Sequence, residues 1–218
     1  MGRHGKGGLR GHVFLAKTDW EDTDRMPAKF IWTDRPTLDT ESLTDGSPYV
    51  EKGIICYTDG SQMLQEEVSE DPNEIREETL KPPRIPIIPG SSRDLGNAGF
   101  GFLITRENLP TIKQWGNLGP QATVFQAEVF AVHKAADMVA ELEFEPEVHF
   151  YVDSQAAIFA ITSVKCTSVT VYQCIKAIQV LIRRGSKVII HWVKAHDGNK
   201  LNEEVDRLAK FGTTSQWQ

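Results

Sequence analysis

The chain has 218 residues, 40% of them hydrophobic, which is enough to fill the core of one domain of about 150 residues and leave additional segments. Its formal net charge of −6 at pH 7 taken alone argues against a nucleic-acid partner. Three cysteines and the absence of an early apolar stretch longer than Val13–Ala16 predict reduced thiols, no signal peptide and no membrane span. We therefore expect an intracellular protein that is not secreted.

The negative charge is concentrated in one segment. Between Glu66 and Thr79 seven acids stand against one base, which accounts for the whole net charge and leaves the rest of the chain neutral. From Lys176 to Lys200, in contrast, six bases stand against the single acid Asp197. A local positive surface of this kind matters more for phosphate binding than the total charge.

The predicted elements divide the chain into a lead-in, one domain and a tail. Residues 1–50 are basic and then polar, and we expect them to be a flexible lead-in to a domain at 51–213, with 214–218 as a tail. Within the domain, the acidic and then Pro-rich residues 62–96 cannot form a packed core and predict a disordered or extended insertion.

Apolar patterning predicts five strands and four helices in the order β, β, β, α, β, α, α, β, α. The strands are expected at residues 54–58, 98–105, 111–117, 148–152 and 187–193. The helices are expected at residues 124–142, from the capping Ser154 to 163, at 169–184, and at 202–211 with Gly212 as the stop. This order predicts an α/β fold with a five-stranded mixed sheet flanked by helices.

Four acids have positions in this scheme that suggest chemistry. Asp59 and Asp153 follow apolar strands, Glu128 lies in the first turns of the first long helix, and Asp206 lies in the last helix. If the two strands are parallel neighbours, the carboxylates of Asp59 and Asp153 are about 5 Å apart. Repulsion among such acids in a partly buried cleft calls for divalent cations, and carboxylates are ligands that Mg²⁺ and Mn²⁺ prefer.

Six segments, in this order, resemble those of type 1 ribonuclease H domains, most of all the domains of non-LTR retrotransposon polyproteins. They are Tyr-Thr-Asp-Gly-Ser at 57–61, Asn-Ala-Gly-Phe-Gly-Phe at 97–102, Thr-Val-Phe-Gln-Ala-Glu at 123–128, Tyr-Val-Asp-Ser-Gln-Ala-Ala at 151–157, Trp-Val-Lys-Ala-His at 192–196 and Asn-Glu-Glu-Val-Asp-Arg-Leu-Ala-Lys at 202–210. The resemblance spans residues 53–212 and implies a ribonuclease H-like fold.

The resemblance also implies an activity and a cofactor. Asp59, Glu128, Asp153 and Asp206 would carry two Mg²⁺ ions, with Mn²⁺ as a possible substitute, and His196 would assist proton transfer or product release. The expected reaction is hydrolysis of the RNA strand of an RNA–DNA hybrid, by a protein of retroelement origin that could be part of a larger polyprotein.

The same resemblance suggests substrate contacts. Gly60, Ser61, Ser154 and Gln155 are candidates for contacts to 2′-hydroxyl groups, which distinguish RNA from DNA. Lys194, in the basic run beside the His196 loop, is a candidate for phosphate binding.

The sequence departs from the family pattern in three places, and two other functions stay open. The insertion at 62–96 replaces a tight turn, Leu201 stands where relatives usually have Gly, and Val205 replaces the usual Ala beside Asp206. One alternative is a catalytically inactive hybrid- or RNA-binding module of retroelement origin. The other is an integrase-like enzyme of the same fold, although such enzymes use a smaller acidic set.

Overall fold

A computed structural model describes residues 34–45, 52–64, 95–195 and 197–215. The strands are β1 Thr37–Leu38, β2 Ile54–Leu64, β3 Leu95–Arg106, β4 Ile112–Gly119, β5 Glu147–Val152 and β6 Lys187–Trp192. The helices are α1 Ser42–Asp45, α2 Val124–Glu141, α3 Gln155–Thr162, α4 Val169–Arg183 and α5 Lys200–Thr214. Among these described helices, none has both the length and the apolar character needed to cross a membrane.

The strands form one mixed sheet in the order β1-β6-β5-β2-β3-β4. The pairs β1–β6, β6–β5 and β5–β2 are parallel, whereas β2–β3 and β3–β4 are antiparallel. Helices α2, α3 and α4 cover one face and bury the larger apolar core, and α5 covers the other face over a smaller cluster. The predicted α/β fold with a mixed sheet flanked by helices is confirmed.

The strand count is corrected from five to six within the described residues, because β1 lies in the predicted lead-in. Thr37 pairs with Ile189 and Leu38 with Ile190, so β1 adds a short parallel strand to the outer edge of β6. A strand of two residues has no alternation that a sequence could reveal. Residues 37–45 are thus joined to the sheet, while residues 1–33 and 46–50 of the lead-in lie outside the described part.

The first central strand is longer than predicted. We expected it to end at Thr58, but β2 continues to Leu64 because β3 runs antiparallel beside it and supplies backbone partners. Asp59 is therefore not at the end of a strand. It follows the pair Thr58–Val152, where the parallel pairing of β2 with β5 stops. Apart from the strand ends at 62–64 and 95–96, the predicted insertion lies outside the described residues.

The prediction that Gly212 stops the last helix is wrong, because α5 continues to Thr214. Gly212 instead permits close packing: a Cβ atom there would lie 2.5 Å from the carbonyl oxygen of Gly116 on β4. On β3, a Cβ atom on Gly99 would lie 2.4 Å from the carbonyl oxygen of Ala209. The absence of side chains at these positions lets α5 lie directly on β3 and β4. Residue 206 is thereby fixed relative to the sheet.

Candidate active site

Three acids, one on β2, one on α2 and one directly after β5, converge where the parallel pairing of β2 with β5 ends. Asp59, Glu128 and Asp153 each offer a carboxylate oxygen, and these oxygens all lie within 4.8 Å of one another. Asp59 is 5% and Glu128 6% exposed, whereas Asp153 is half-buried. We call these three residues the acidic cluster.

Strand pairing brings Asp59 and Asp153 together. Each is the residue immediately after the last parallel pair of β2 and β5, so both follow neighbouring strands at the same level. The backbone at Asp153 is also held from β6, because the indole Nε1–H of Trp192 donates a hydrogen bond of 2.8 Å to the Asp153 carbonyl oxygen. The cluster therefore depends on three adjacent strands.

Glu128 reaches the cluster from helix α2, on the face of the sheet opposite to the one that α5 covers. Helix α2, which carries it, begins with a reciprocal capping box: Thr123 Oγ1 accepts from the Gln126 backbone N–H, and Gln126 Oε1 accepts from the Thr123 N–H. Gly60 lies beneath the first turns of α2, and a Cβ atom on it would stand 2.3 Å from the backbone nitrogen of Glu128. Only glycine at position 60 lets the helix approach this closely.

Burial and mutual repulsion disfavour ionisation of the cluster. The pKa of Asp59 is raised to about 8, first by burial and then by the negative charges of Asp153 and Asp206. The backbone N–H of Gly60 donates a hydrogen bond of 2.8 Å to Asp59 Oδ1 and partly opposes the rise. The pKa of Glu128 is raised well above its usual range by burial and by the charges of Asp59 and Asp153. Without a cation, Asp59 therefore largely retains its proton at neutral pH, and ionisation of Glu128 is disfavoured.

The donor set fits a divalent cation. Glu128 Oε2 is buried and has no hydrogen-bond partner, so one oxygen of the cluster is left without compensation for its lost hydration. Oxygen-only donors from three carboxylates are typical of sites for Mg²⁺ and Mn²⁺. A cation held by Asp59, Glu128 and Asp153 would satisfy that oxygen and offset the repulsion that raises the pKa values.

Asp206 lies beside the cluster but outside the group of three. Its carboxylate is 23% exposed and pairs with Lys210 Nζ at 2.8 Å, one turn further along α5. Its charge is still close enough to raise the pKa of Asp59. The start of α5 is anchored by Asn199, which caps the helix and donates its Nδ2–H to the hydroxyl of Tyr57 at 3.2 Å.

The other predicted site residues lie in varied surroundings. Gly60 is buried beneath α2, and Ser61 is half-buried on β2 opposite Gly99. Ser154 caps α3 by accepting the backbone N–H of Ala157, and Gln155 is the exposed first residue of that helix. Lys194 is exposed, and its Nζ is 3.5 Å from Asp197 Oδ1. His196 lies outside the described residues.

Sequence reasoning missed two contributors to this site. The sequence suggests only substrate contact for Gly60, whereas in the structure this residue provides the space that brings Glu128 to Asp59. Trp192 was part of a motif but was given no role, although it binds the backbone of Asp153. The signal for Trp192 was its place at the end of a strand next to the strand that carries Asp153. The signal for Gly60 was a glycine directly after a candidate metal-ligating acid.

One comparison with known proteins found a family match. The family model described as RNase H matches residues 89–214, more than half of the chain. The matched range contains Glu128, Asp153 and Asp206 and begins after Asp59. No curated protein matches the chain.

Solved structures share the fold at low identity. The prototype foamy virus protease-reverse transcriptase is 18% identical, with a TM-score of 0.52, and the match covers 78% of this chain and 22% of that one. A foamy viral protease-reverse transcriptase in complex with RNA/DNA hybrid is also 18% identical, with a TM-score of 0.51 and the same coverages. LC9-RNase H1, a type 1 RNase H with the type 2 active-site motif, is 18% identical with a TM-score of 0.50, and the match covers 79% of this chain and 77% of that one.

The viral matches show the size of the shared unit. This chain spans about a fifth of the length of the two viral proteins, at 22%.

The shared fold confirms the predicted RNase H-like architecture, with the sixth strand as an addition to the predicted sheet. On the family match and the architecture together, the chain belongs to the RNase H family.

Proposed function

We propose that this chain is a divalent-metal-dependent endoribonuclease that hydrolyses the RNA strand of RNA–DNA hybrids. The observation that carries the proposal is the convergence of Asp59, Glu128 and Asp153, with oxygens within 4.8 Å of one another, in a member of the RNase H family. The choice of substrate is supported by a foamy viral protein of the same fold that is in complex with RNA/DNA hybrid.

The acids would act as metal ligands. Asp59, Glu128 and Asp153 would hold Mg²⁺, or Mn²⁺ in its place, and Asp206 would complete a site for a second ion. Divalent cations bound there supply Lewis-acid chemistry, through a water of lowered pKa and through charge neutralisation at the departing 3′ oxygen. Gly60 supports this arrangement by orienting Asp59 through its backbone N–H.

The remaining predicted residues would handle the substrate and the proton. His196 would protonate the departing oxygen or assist product release, since an unperturbed histidine titrates near neutral pH. Ser61, Ser154 and Gln155 would contact 2′-hydroxyl groups. The Ser154 hydroxyl accepts a hydrogen bond when it caps α3 and can still donate its own O–H to the substrate. The buried Gly60 would act on Asp59 more than on the substrate. Lys194, which is exposed, would contact phosphate.

A retroelement origin and a place in a longer polyprotein are part of the proposal. Support comes from the viral proteins that share the fold, in which the corresponding unit is about a fifth (22%) of a protease-reverse transcriptase chain. The proposed site of action is inside the cell, where RNA–DNA hybrids occur.

The direct test is cleavage of labelled substrates by the full chain. RNA–DNA hybrid, duplex RNA and duplex DNA are incubated with the protein in Mg²⁺, in Mn²⁺ and in EDTA. We expect cleavage of the RNA strand of the hybrid alone, and only with a divalent cation. Cleavage that persists in EDTA would contradict the proposal. Hybrid binding without cleavage in either metal would instead favour an inactive binding module.

Matched variants assign the activity to the cluster. Glu128→Gln removes a ligand from α2, and Glu141→Gln makes the same change at the exposed end of the same helix. We expect Glu128→Gln to lower the cleavage rate at least about 100-fold, because loss of a ligand impairs metal binding, and Glu141→Gln to leave it unchanged. Equal rates for the two variants would remove Glu128 from the mechanism.

A further inference from the structure

The outer edge of β6 is covered by residues 37–45, which we call the clamp. Besides the two residue pairs of β1, the backbone N–H of Asp39 donates to the carbonyl oxygen of Ile190 at 2.9 Å. So short a strand contributes few ladder hydrogen bonds. The clamp is therefore held largely by side chains beyond the strand, and those contacts are at the end of β6 nearest the acidic cluster.

Asp39 is the first of these contacts. Its Oδ1 accepts the backbone N–H groups of Glu41 and Ser42, at 3.2 and 3.3 Å, and so starts α1. Its Oδ2 lies 2.8 Å from Nδ1 of His191, a 5% exposed residue of β6. The His191 ring in turn stacks on Tyr151 of β5, with ring centroids 4.7 Å apart. The clamp thus reaches into the packed face of the sheet beside the cluster.

Ser42 is the second contact, and it leads to the cluster. Ser42 is 1% exposed, its hydroxyl donates to the Asp39 carbonyl oxygen at 2.6 Å, and its Oγ accepts the backbone N–H of Trp192 at 2.9 Å. The Trp192 indole then donates to the carbonyl oxygen of Asp153 at 2.8 Å. Two consecutive hydrogen bonds therefore connect α1 with the backbone of a cluster residue.

This connection acts where the sheet itself gives little support. Strand β5 ends at Val152, so the backbone of Asp153 lies beyond the regular ladder. The last ladder-like bond runs from Val193 N–H to the Val152 carbonyl oxygen at 3.0 Å, and the Trp192 indole adds the next support. A ligand whose backbone is already held in place loses less conformational freedom when it binds an ion, which strengthens binding.

We propose that the clamp positions Asp153 through Ser42 and Trp192, and that it thereby sets the affinity of the acidic cluster for divalent cations. Ser42 and Trp192 are positioning residues, since neither contributes an oxygen to the cluster. The inference rests on the proposed function insofar as the cluster binds Mg²⁺ or Mn²⁺. It goes further by giving a role in metal affinity to a segment that precedes the predicted domain.

The first test removes the indole donor. Trp192→Phe keeps an aromatic ring at the position but loses the N–H group, and Trp115→Phe makes the same change on β4, where the side chain is 48% exposed. Mn²⁺ binding to the full chain is measured by titration calorimetry without nucleic acid. We expect Trp192→Phe to raise the dissociation constant about fivefold, the effect of one neutral hydrogen bond, and Trp115→Phe to leave it unchanged.

The second test acts on the clamp itself and remains informative if Trp192→Phe folds poorly. Ser42→Ala removes the acceptor for the Trp192 N–H, whereas Thr44→Ala removes a hydroxyl that bonds within the clamp, to the Glu41 carbonyl oxygen. We expect a dissociation constant about twofold to threefold higher for Ser42→Ala and unchanged for Thr44→Ala. Thermal unfolding in EDTA separates this effect from a general loss of stability.

The outcomes separate the two proposals. If the native chain binds Mn²⁺ and Asp153→Asn abolishes that binding, the metal site is established. Unchanged affinity in Ser42→Ala and Trp192→Phe would then overturn the clamp alone. If the native chain binds no Mn²⁺, the metal site and the clamp fall together.

Discussion

Gly60 and Glu128 are in contact through their backbones, and a Cβ atom on Gly60 would stand 2.3 Å from the Glu128 nitrogen and 2.7 Å from the carbonyl carbon of Ala127. Both neighbouring atoms are backbone, so they cannot move without shifting the start of α2. The residue after Asp59 thus fixes how far Glu128 is from Asp59. A packing requirement and the geometry of the acidic cluster are met at the same position.

Gly60→Ala should therefore impair metal binding and stability together. We expect a loss of about 1–3 kcal/mol in the free energy of unfolding, because the added methyl group displaces α2, and a weaker affinity for Mn²⁺, because Glu128 moves away. Urea unfolding and Mn²⁺ titration measure the two effects.

Gly116→Ala is the control for this substitution. A Cβ atom on Gly116 would meet the Phe100 ring at 2.7 Å, and that contact is with a side chain on β3, which can rotate. We expect some loss of stability but an unchanged affinity for Mn²⁺. A Gly60→Ala variant that binds Mn²⁺ as the native chain does would contradict the role given to Gly60.

The stabilising effect of Mg²⁺ should increase with pH. The pKa of Asp59 rises from 3.8 to about 8 on folding, so between these values the folded chain binds more protons than the unfolded chain. Without a cation, this group therefore lowers the free energy of unfolding as the pH rises through that range. A bound cation replaces the proton, so we expect the increase in Tm caused by Mg²⁺ to be larger at about pH 8.5 than at about pH 6. Equal increases at both pH values would refute the expectation.

Asp59→Asn should stabilise the metal-free chain while it removes activity. Asparagine keeps the acceptor for the Gly60 N–H but has no charge to bury, so we expect a gain on the order of 1–2 kcal/mol at about pH 8.5 in EDTA. Chemical denaturation gives the free energy, and Mg²⁺ should no longer raise Tm. Asp197→Asn, at an exposed carboxylate near Lys194, serves as the control and should change neither quantity. A destabilised Asp59→Asn variant would show that the buried charge of Asp59 does not lower the free energy of unfolding of the metal-free chain.

Asp206→Asn should lower the pKa of Asp59. The substitution removes a negative charge that raises this pKa. It also frees Lys210 from its ion pair, and the positive charge of Lys210 would lower the pKa of Asp59 further. Carboxyl carbon NMR can follow the titration of Asp59 in the metal-free chain. We also expect a smaller loss of Mn²⁺ affinity than for Asp59→Asn, about tenfold, because Asp206 lies outside the group of three.

Glu203→Gln is the control for this prediction, since it changes an exposed acid on the same helix. An Asp59 titration that is identical in the native chain and in Asp206→Asn would show that the two carboxylates do not interact. A shift of equal size in Glu203→Gln would indicate a general effect of charge on α5.

Elements whose boundaries depend on neighbours along the chain were predictable from the amino-acid sequence. Val124 and Val169 begin helices as predicted, and Ser154 caps α3, because a capping side chain and the N–H that it accepts are three residues apart. The order of these elements also sufficed for the α/β class, and six short segments carried the resemblance to ribonuclease H domains, which the family match supports.

Features whose partners are far apart in the sequence could not be predicted from local patterns. Strand β2 passes Thr58 because β3 lies beside it, and α5 passes Gly212 because that glycine packs on β4. Ser42 and Trp192, which are hydrogen-bonded, are 150 residues apart. A local pattern records periodicity and capping but not which distant backbone groups will complete a hydrogen bond, so the extra strand and the support of Asp153 became visible only in the folded chain.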